Sequence, residues 1–358
     1  MRVIAYYLPQ YHQIEENDMW WGKGFTEWTN VKAGKPLYPG HEQPITPQNK
    51  NYYSLEDKET LRWQSELANQ HGIYGFAYYH YWFNGKKLLQ KPAEQLLQWR
   101  DIDQKFFFFW ANHSWVKTAN GEKEILMQQV YGGERDAVAH YEYLSSFFKD
   151  ERYIKVDNKP VVGIYKPSEV DSYKEMVAIW NRLAIDDGFD GVYIIRNVDR
   201  IELLKDDLPG DAVVLRQPAI AQERMMKNYG RMMSRPWLQR ILAKKLPYRI
   251  DYRKVIKELI AQAPKLKKDC QFKLYQGTYT GWDNTVRHGK RGYVHENSNP
   301  VDFKKSLEAL DEVADDDDFV FVNAWNEWAE GMHLEPDEKW GLLYLEAIND
   351  VTSRNVRC

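Results

Sequence analysis

Between Trp325 and Pro336 the chain sets three carboxylates, Glu327, Glu330 and Glu335, among two tryptophans. A short apolar run, Phe319 to Val322, precedes them and reads as a buried strand bounded by acidic and turn residues. Glutamates held against tryptophan in an apolar setting have raised pKa values and suit acid chemistry. Glu327 and Glu330 are three positions apart, so a helical turn puts them on one face, roughly 5–6 Å from each other. That separation approaches the one at which two carboxylates flank the anomeric centre of a sugar. The alternative is a helix start whose glutamates sit at the positive end of the dipole.

Such a pair needs a scaffold to aim it. Short apolar runs recur as candidate strands at Val3–Tyr7, Tyr74–Tyr79, Phe106–Trp110, Val161–Tyr165, Val192–Arg196, Ala212–Leu215, Lys273–Tyr279 and Phe319–Val322. Amphipathic stretches alternate with them: Asp57–His71, Lys91–Trp99, Asp136–Phe148, Ser168–Asp187, Lys254–Ala263, Pro300–Val313 and Gly341–Val351. Strands alternating with helices predict parallel βα repeats. Eight such units close into an α/β (β/α)8 TIM barrel, about 250 residues long before loop insertions. One catalytic domain over 1–358 with long βα loops is expected. A doubly wound open sheet is the alternative, but no Gly-x-Gly-x-x-Gly follows the first strand.

Barrel chemistry sits at the C-terminal ends of the strands, and there this chain is rich in polar and aromatic residues. The runs are Pro9-Gln10-Tyr11-His12, His80-Tyr81-Trp82-Phe83, Ala111-Asn112-His113-Ser114-Trp115, Gly281-Trp282-Asp283-Asn284-Thr285 and the glutamate segment itself. Convergence of five such loops on one mouth favours a site over a plain helix start.

Composition narrows the class. A formal charge of −3 over 358 residues argues against a general nucleic-acid binder. Aromatics reach 15%, with 14 Trp and 24 Tyr, although mean hydropathy is only −0.68. Flat rings with polar rims suit surfaces that stack on sugar faces, and they also fill cores. Cys270 and Cys358 are the only cysteines, too few for a disulfide framework or a cysteine-rich metal site. No segment approaches the roughly 20 apolar residues of a membrane span. The first apolar run is too short for a secretory signal, so a soluble, cytoplasmic protein is expected.

The run Tyr6-Tyr7-Leu8-Pro9-Gln10-Tyr11-His12, followed by Trp20-Trp21-Gly22-Lys23-Gly24-Phe25-Thr26-Glu27-Trp28, resembles the N-terminal signature of WbsX-type proteins. His80-Tyr81-Trp82-Phe83-Asn84-Gly85, Trp110-Ala111-Asn112, Gly281-Trp282-Asp283-Asn284-Thr285 and Trp325-Asn326-Glu327-Trp328-Ala329-Glu330-Gly331 match the same pattern in order. Such proteins occur in bacterial gene clusters for O-antigen or capsule. They carry the glycosyltransferase name by tradition and are related to glycoside hydrolase family 99, the endo-α-mannosidases. The resemblance implies a (β/α)8 barrel with no metal and no cofactor, acting on an oligosaccharide or polysaccharide.

It also implies retaining endo-cleavage. A glutamate takes the proton of the sugar's 2-hydroxyl, which closes on the anomeric carbon as a 1,2-anhydro sugar while a second carboxylic acid protonates the departing oxygen. Matched by motif, Glu327 is the base, and Glu330 is the acid that later activates water. Glu327 must then be ionised and Glu330 protonated at working pH. A mannose-like carbon 2 is implied, because closure needs a trans-diaxial 2-hydroxyl. One departure points to a different preferred sugar: after Asn112 the pattern usually has glutamate, and this chain has His113.

Further substrate contacts expected from the matched motifs are Tyr7, His12, Asn112, Trp115, Asn326 and Trp328. Glu335 orients a hydroxyl or Glu330, or is a loop carboxylate ahead of Pro336. His80 with Tyr79 and Trp82 suits a glycosyl hydroxyl and a stacked ring, with a core histidine as the alternative. Trp282, Asp283 and Asn284 suit a sugar, or Asp283 and Asn284 form an Asx-turn. Glu27 and Trp28 lie in a long first loop that caps the site or merely packs as a lid. Asp315–Asp318 lack calcium-loop spacing and read as a solvated turn on the opposite face.

Residues 223–254 carry ten Lys or Arg against two acids. This basic insertion suits an anionic membrane surface, which would put the protein at the inner face of the membrane. Packing on the barrel is the alternative. A sugar-nucleotide glycosyltransferase should show a diphosphate loop, and outside the Asp315–Asp318 run the only Asp-x-Asp is Asp101-Ile102-Asp103. A non-catalytic carbohydrate-binding protein would explain the aromatics but not the two glutamates.

Overall fold

The computed structural model describes residues 1–119, 122–223 and 246–356. Eight parallel strands form a closed barrel: β1 (Arg2–Tyr7), β2 (Ile73–Phe83), β3 (Phe106–Trp110), β4 (Lys159–Ile164), β5 (Tyr193–Val198), β6 (Ala212–Leu215), β7 (Lys273–Tyr279) and β8 (Phe319–Asn323). Each pairs with its neighbours in sequence, and β1 closes the ring by pairing with both β2 and β8, Ile4 standing opposite Gly75 and Phe321. The architecture is the expected (β/α)8 barrel.

Helices cover it. They are α1 (Glu15–Trp21), α2 (Glu27–Ala33), α3 (Lys58–Gln70), α4 (Lys91–Gln98), α5 (Gly133–Phe148), α6 (Tyr173–Asp186), α7 (Tyr252–Asp269), α8 (Thr285–His288), α9 (Pro300–Val313) and α10 (Leu343–Thr352). The first two lie in the long β1 loop. Between β5 and β6 only a 3₁₀ turn, Ile201–Lys205, intervenes. Asp57 caps α3 by accepting the Glu59 N–H at 3.1 Å, satisfying a donor the first turn would otherwise leave bare.

Alternation along the strands decides what faces where. Tyr6, Tyr79, Phe109 and Phe321 meet inside the barrel, Tyr6 lying 5.1–5.6 Å from the other three rings. Gly163 makes room for them, since a Cβ there would lie 2.1 Å from the Phe109 ring. Tyr7, Tyr78 and Phe108 point outward, where Tyr7 Oη donates to Gln64 of α3 at 2.7 Å. Two expectations shift. Strand β2 runs on to Phe83, because a hairpin with Lys86–Leu88 continues its ladder past the barrel rim. Helix α7 extends through Pro264 to Asp269, although proline usually marks an end.

Asp315–Asp318 form the turn before β8, with Lys267 and Lys273 bridging Asp315 and Asp318 and Arg2 pairing with Asp317. In the basic insertion, 224–245 lie outside the described residues. Its end, Tyr248–Asp251, pairs in parallel with Tyr293–Glu296 and leads into α7. Among the described residues no helix is long and apolar enough to cross a membrane.

Candidate active site

The strand exits enclose a cavity of about 550 Å³ at the C-terminal face of the barrel, a volume typical of small-molecule sites. Glu327 and Glu330 enter it from the loop after β8, whose course is fixed by buried bonds. The Trp325 N–H donates to the Tyr6 carbonyl at 2.7 Å. Asn326 clasps Leu8, accepting its N–H at 2.7 Å and donating to its carbonyl at 3.1 Å. Tyr11 Oη donates to the Asn326 carbonyl. Trp328–Glu330 then make one 3₁₀ turn, ended by Gly331 at φ 65°, a left-handed conformation that costs other residues roughly 1–2 kcal/mol. The helical spacing expected of the two glutamates is therefore a single turn.

Burial pushes the Glu327 carboxyl up from 4.5 to about 7. The charge of Glu330 adds to that effect, and Arg216 and Arg287 oppose it. The shift thus falls on the glutamate that the resemblance casts as base. Glu330 is more open, its side chain 25% exposed, and its Oε1 accepts from Arg287 Nη1 at 2.6 Å. The same guanidinium donates to Glu27 Oε1 through Nη2 at 2.5 Å and through Nε at 3.2 Å. Glu27 opens α2 and also accepts from Asn30 Nδ2 at 3.4 Å. Arg287, from α8, therefore ties the β1, β7 and β8 loops together at the carboxylate pair.

Of the residues singled out in the sequence, Glu27, Trp115, Glu327 and Glu330 meet in this cavity. Tyr7, His80 and Trp82 do not, because they occupy outward positions of β1 and β2. His80 Nε2 lies 2.8 Å from His140 Nε2 of α5, and Trp82 stacks on His140 and donates to Asp136 Oδ1 at 2.8 Å. Asn112 is consumed in tying loops, donating to the Lys166 carbonyl and accepting its N–H, both at 2.8 Å. Asn326 is consumed in the Leu8 clasp. Trp28 and Trp328 pack on each other behind the glutamates, ring centres 5.7 Å apart and planes tilted by 51°. Glu335 lies behind them too, accepting from Tyr53 Oη at 2.8 Å, Trp328 Nε1 at 2.7 Å and Gln64 Nε2 at 2.6 Å, and burial pushes its carboxyl up to about 7. His12 is buried, which pushes its pKa down to about 4.

Trp282 and Asp283 line a different, larger cavity of about 760 Å³ across the wall made by Asp283 and Gly331. Asn284 is buried in that wall and accepts the Tyr293 N–H at 2.7 Å. Volume alone would favour the larger cavity, yet its two buried aspartates are already engaged. Asp283 accepts from His41, Gln43 and Thr285, and Asp337 from His333, Lys339 and Trp340. Glu27, Glu327 and Glu330 line the smaller one. No cluster of three or more His, Cys, Asp or Glu suited to a metal ion occurs among the described residues.

Of the trio Tyr79, His80 and Trp82 only Tyr79 lines the cavity, and sequence reasoning gave no separate role to Tyr81, Tyr165, Arg216 or Arg287, which line it too. Period-2 alternation along β2 would have chosen Tyr79 and Tyr81 over His80 and Trp82. Arg216 immediately follows β6, so the strand-end rule pointed at it. Arg287 stands 260 positions from its partner Glu27, and no local signal joins them.

The site is thus a pair of carboxylates at the C-terminal mouth of a (β/α)8 barrel. Solved structures with this fold include a glycoside hydrolase-like protein, 14% identical with a TM-score of 0.61, the match covering 98% of this chain and 93% of that one. Another is the family 99 endo-α-mannosidase of Bacteroides thetaiotaomicron, 13% identical with a TM-score of 0.58 over 99% and 98% of the two chains. At these identities the likeness establishes the fold. The chain belongs to the glycosyltransferase WbsX family, whose model matches residues 3–348. It is also 30% identical over 360 residues to the uncharacterized protein WxcX of Xanthomonas campestris pv. campestris. That match covers 98% of this chain and 50% of the relative, so the chain spans about half the length of the curated relatives it matches.

Proposed function

We propose that the chain is a retaining, endo-acting glycoside hydrolase or transglycosylase on a bacterial surface polysaccharide such as O-antigen or capsule, cleaving an α-mannoside-like linkage. The observation that carries this reading is the pairing of buried Glu327 with the more open Glu330 on one turn facing one cavity. A base with a pKa near 7 is basic enough to draw a hydroxyl proton and still ionised at slightly alkaline pH. Glu327 takes the 2-hydroxyl proton as O2 attacks the anomeric carbon and the glycosidic bond breaks. Glu330, carrying a proton and released from Arg287, gives it to the leaving oxygen. Water then opens the 1,2-anhydro ring, Glu330 taking its proton and Glu327 returning one to O2. Glu27 keeps the Arg287 guanidinium beside the pair while Glu330 is released from it. Trp115, Tyr79 and Tyr81 supply ring faces for the sugar.

The family's description favours a second reading, glycosyl transfer, in which a sugar hydroxyl takes the place of water. The test is incubation of the purified protein with α-mannoside oligosaccharides and bacterial surface glycans, the anomeric proton of the product followed by NMR. An α product is expected, with turnover falling by on the order of 10²–10⁴ in Glu330→Gln, the usual worth of a general acid. Product that forms only when sugar nucleotides are supplied would overturn hydrolysis in favour of transfer.

A further inference from the structure

The cavity divides its charges between the two halves of the barrel mouth. The loops after β1, β7 and β8 contribute Glu27, Arg287, Glu327 and Glu330, where Arg287 is already bound to two acids. The exits of β3, β4 and β6 contribute His113, Tyr165 and Arg216. Arg216 is held firmly. Its N–H donates to the Val198 carbonyl at 2.8 Å, its guanidinium carbon lies 4.7 Å from the centre of the Tyr165 ring, and Nη1 donates to Tyr79 Oη at 3.2 Å.

Among the described residues no carboxylate forms an ion pair with Arg216, and Tyr79 Oη is the hydrogen-bond partner of its guanidinium. A guanidinium carries five donors in a rigid fork, so most remain to be met from within the cavity. Beside it, the ring of His113 lies 5.4 Å from that of Tyr165, and its Nδ1 is buried without a partner among the described residues. A histidine rather than an acid at position 113 leaves the guanidinium unpaired on this side, with Glu327 across the mouth the carboxylate whose charge it feels. Isolated charges and bare polar atoms in a partly dehydrated pocket are costly unless a ligand satisfies them.

We propose that Arg216, with His113 beside it, receives an anionic substituent of the glycan, namely the carboxylate of a hexuronic acid residue. The inference rests on the glycosidase reading and names its substrate class. A planar carboxylate matches the guanidinium fork, and such charge-assisted pairs are about twice as strong as neutral ones. Pyranose geometry fits the division of charge. The ring atom across from carbon 2 is carbon 5, which bears the hexuronate carboxylate. A sugar that turns its 2-hydroxyl to Glu327 therefore turns its carboxylate away from the acids, toward the half of the mouth that holds Arg216.

Binding of methyl α-D-mannopyranosiduronic acid and of methyl α-D-mannopyranoside, which differ only at carbon 6, tests this by NMR titration at constant ionic strength. Inorganic phosphate provides a third arm. The mannosiduronate should bind at least about tenfold tighter than the neutral glycoside, equivalent to about 1.4 kcal/mol. That preference should fall to about twofold or less in Arg216→Gln. His113→Glu, which supplies an internal counter-charge and keeps the guanidinium, should abolish it too, so the result does not hang on one variant. Equal affinities in the unaltered protein, or a preference that survives both substitutions, would overturn the assignment. Arg216-dependent phosphate binding tighter than that of the mannosiduronate would also overturn it and identify a phosphate ester as the anion. Because the readout is binding, loss of the preference ends this inference whether or not glycan cleavage is observed.

Discussion

At the scale of single residues, the state of Glu327 governs what the site can do. Its carboxyl titrates near 7 because burial and Glu330 disfavour its charge more than Arg216 and Arg287 favour it. Acting as base, it must lose its proton, so the acidic limb of the kcat/KM profile should climb with a midpoint near pH 7. The neighbours fix the direction of each perturbation. Glu330→Gln removes a repelling charge and should lower the Glu327 midpoint. Arg287→Met removes an attracting charge and should raise it. Carbon NMR of protein labelled at its glutamate carboxyls reads both shifts directly, and since Glu335 also titrates near 7, Glu335→Gln assigns the two signals. A Glu327 midpoint near 4.5, or shifts of one sign in both variants, would refute this account. Glu335 itself touches three donors and no cavity wall near the pair, so its substitution should cost stability and leave the kinetic limb where it is.

At the scale of elements, β2 shows how much could be read ahead of the structure. Its apolar run was plain, and so was the concentration of Trp, Tyr and His at its end. Which of those side chains face the substrate depends on where the ladder stops. Ending the strand at Tyr79 makes His80–Phe83 a loop free to turn inward. In the structure the strand continues to Phe83, so alternation sends Tyr79 and Tyr81 into the cavity and His80 and Trp82 against α5. The β8 loop was legible for the same reason in reverse, since one tight turn after a short buried strand leaves little freedom. Arg287 was not, because its role exists only once three loops far apart in sequence converge. These assignments separate in experiment. Tyr81→Ala should weaken glycan binding roughly three- to tenfold, the worth of one aromatic contact. His80→Leu should leave binding alone and strand His140 Nε2 without a partner, lowering stability by about 1–3 kcal/mol. Isothermal titration and chemical denaturation of the two variants give the contrast, and a binding defect in His80→Leu would place that ring in the site after all.

At the scale of the whole molecule, a barrel wrapped so closely in helices and loops buries titratable groups that the unfolded chain exposes, and this sets its response to acid. His12, His80, His113, His140 and His295 all have pKa values pushed below 6.5 by burial. They sit between layers: His80 and His140 between β2 and α5, and His295 between Tyr279 and Gln222. Below pH 6.5 the unfolded chain protonates them and the folded chain does not, so they destabilise the fold as pH falls toward about 4. Glu327 and Glu335 act in the opposite sense. Their folded pKa values lie near 7 against 4.5 unfolded, so their contribution is full below 4.5 and lost as pH rises through 7. Five histidines outnumber two glutamates by about three protons. At about 1.4 kcal/mol per proton for each pH unit, the slope approaches roughly 4 kcal/mol per unit near pH 5. Stability should therefore collapse steeply on acidification and level off above about pH 7, while activity, tied to ionised Glu327, keeps rising past pH 7. Urea midpoints at pH 5, 6, 7 and 8 test this. His295→Phe should flatten the slope by about one proton's worth. Midpoints that hold level or rise toward pH 5 would mean that the buried histidines do not control the acid response.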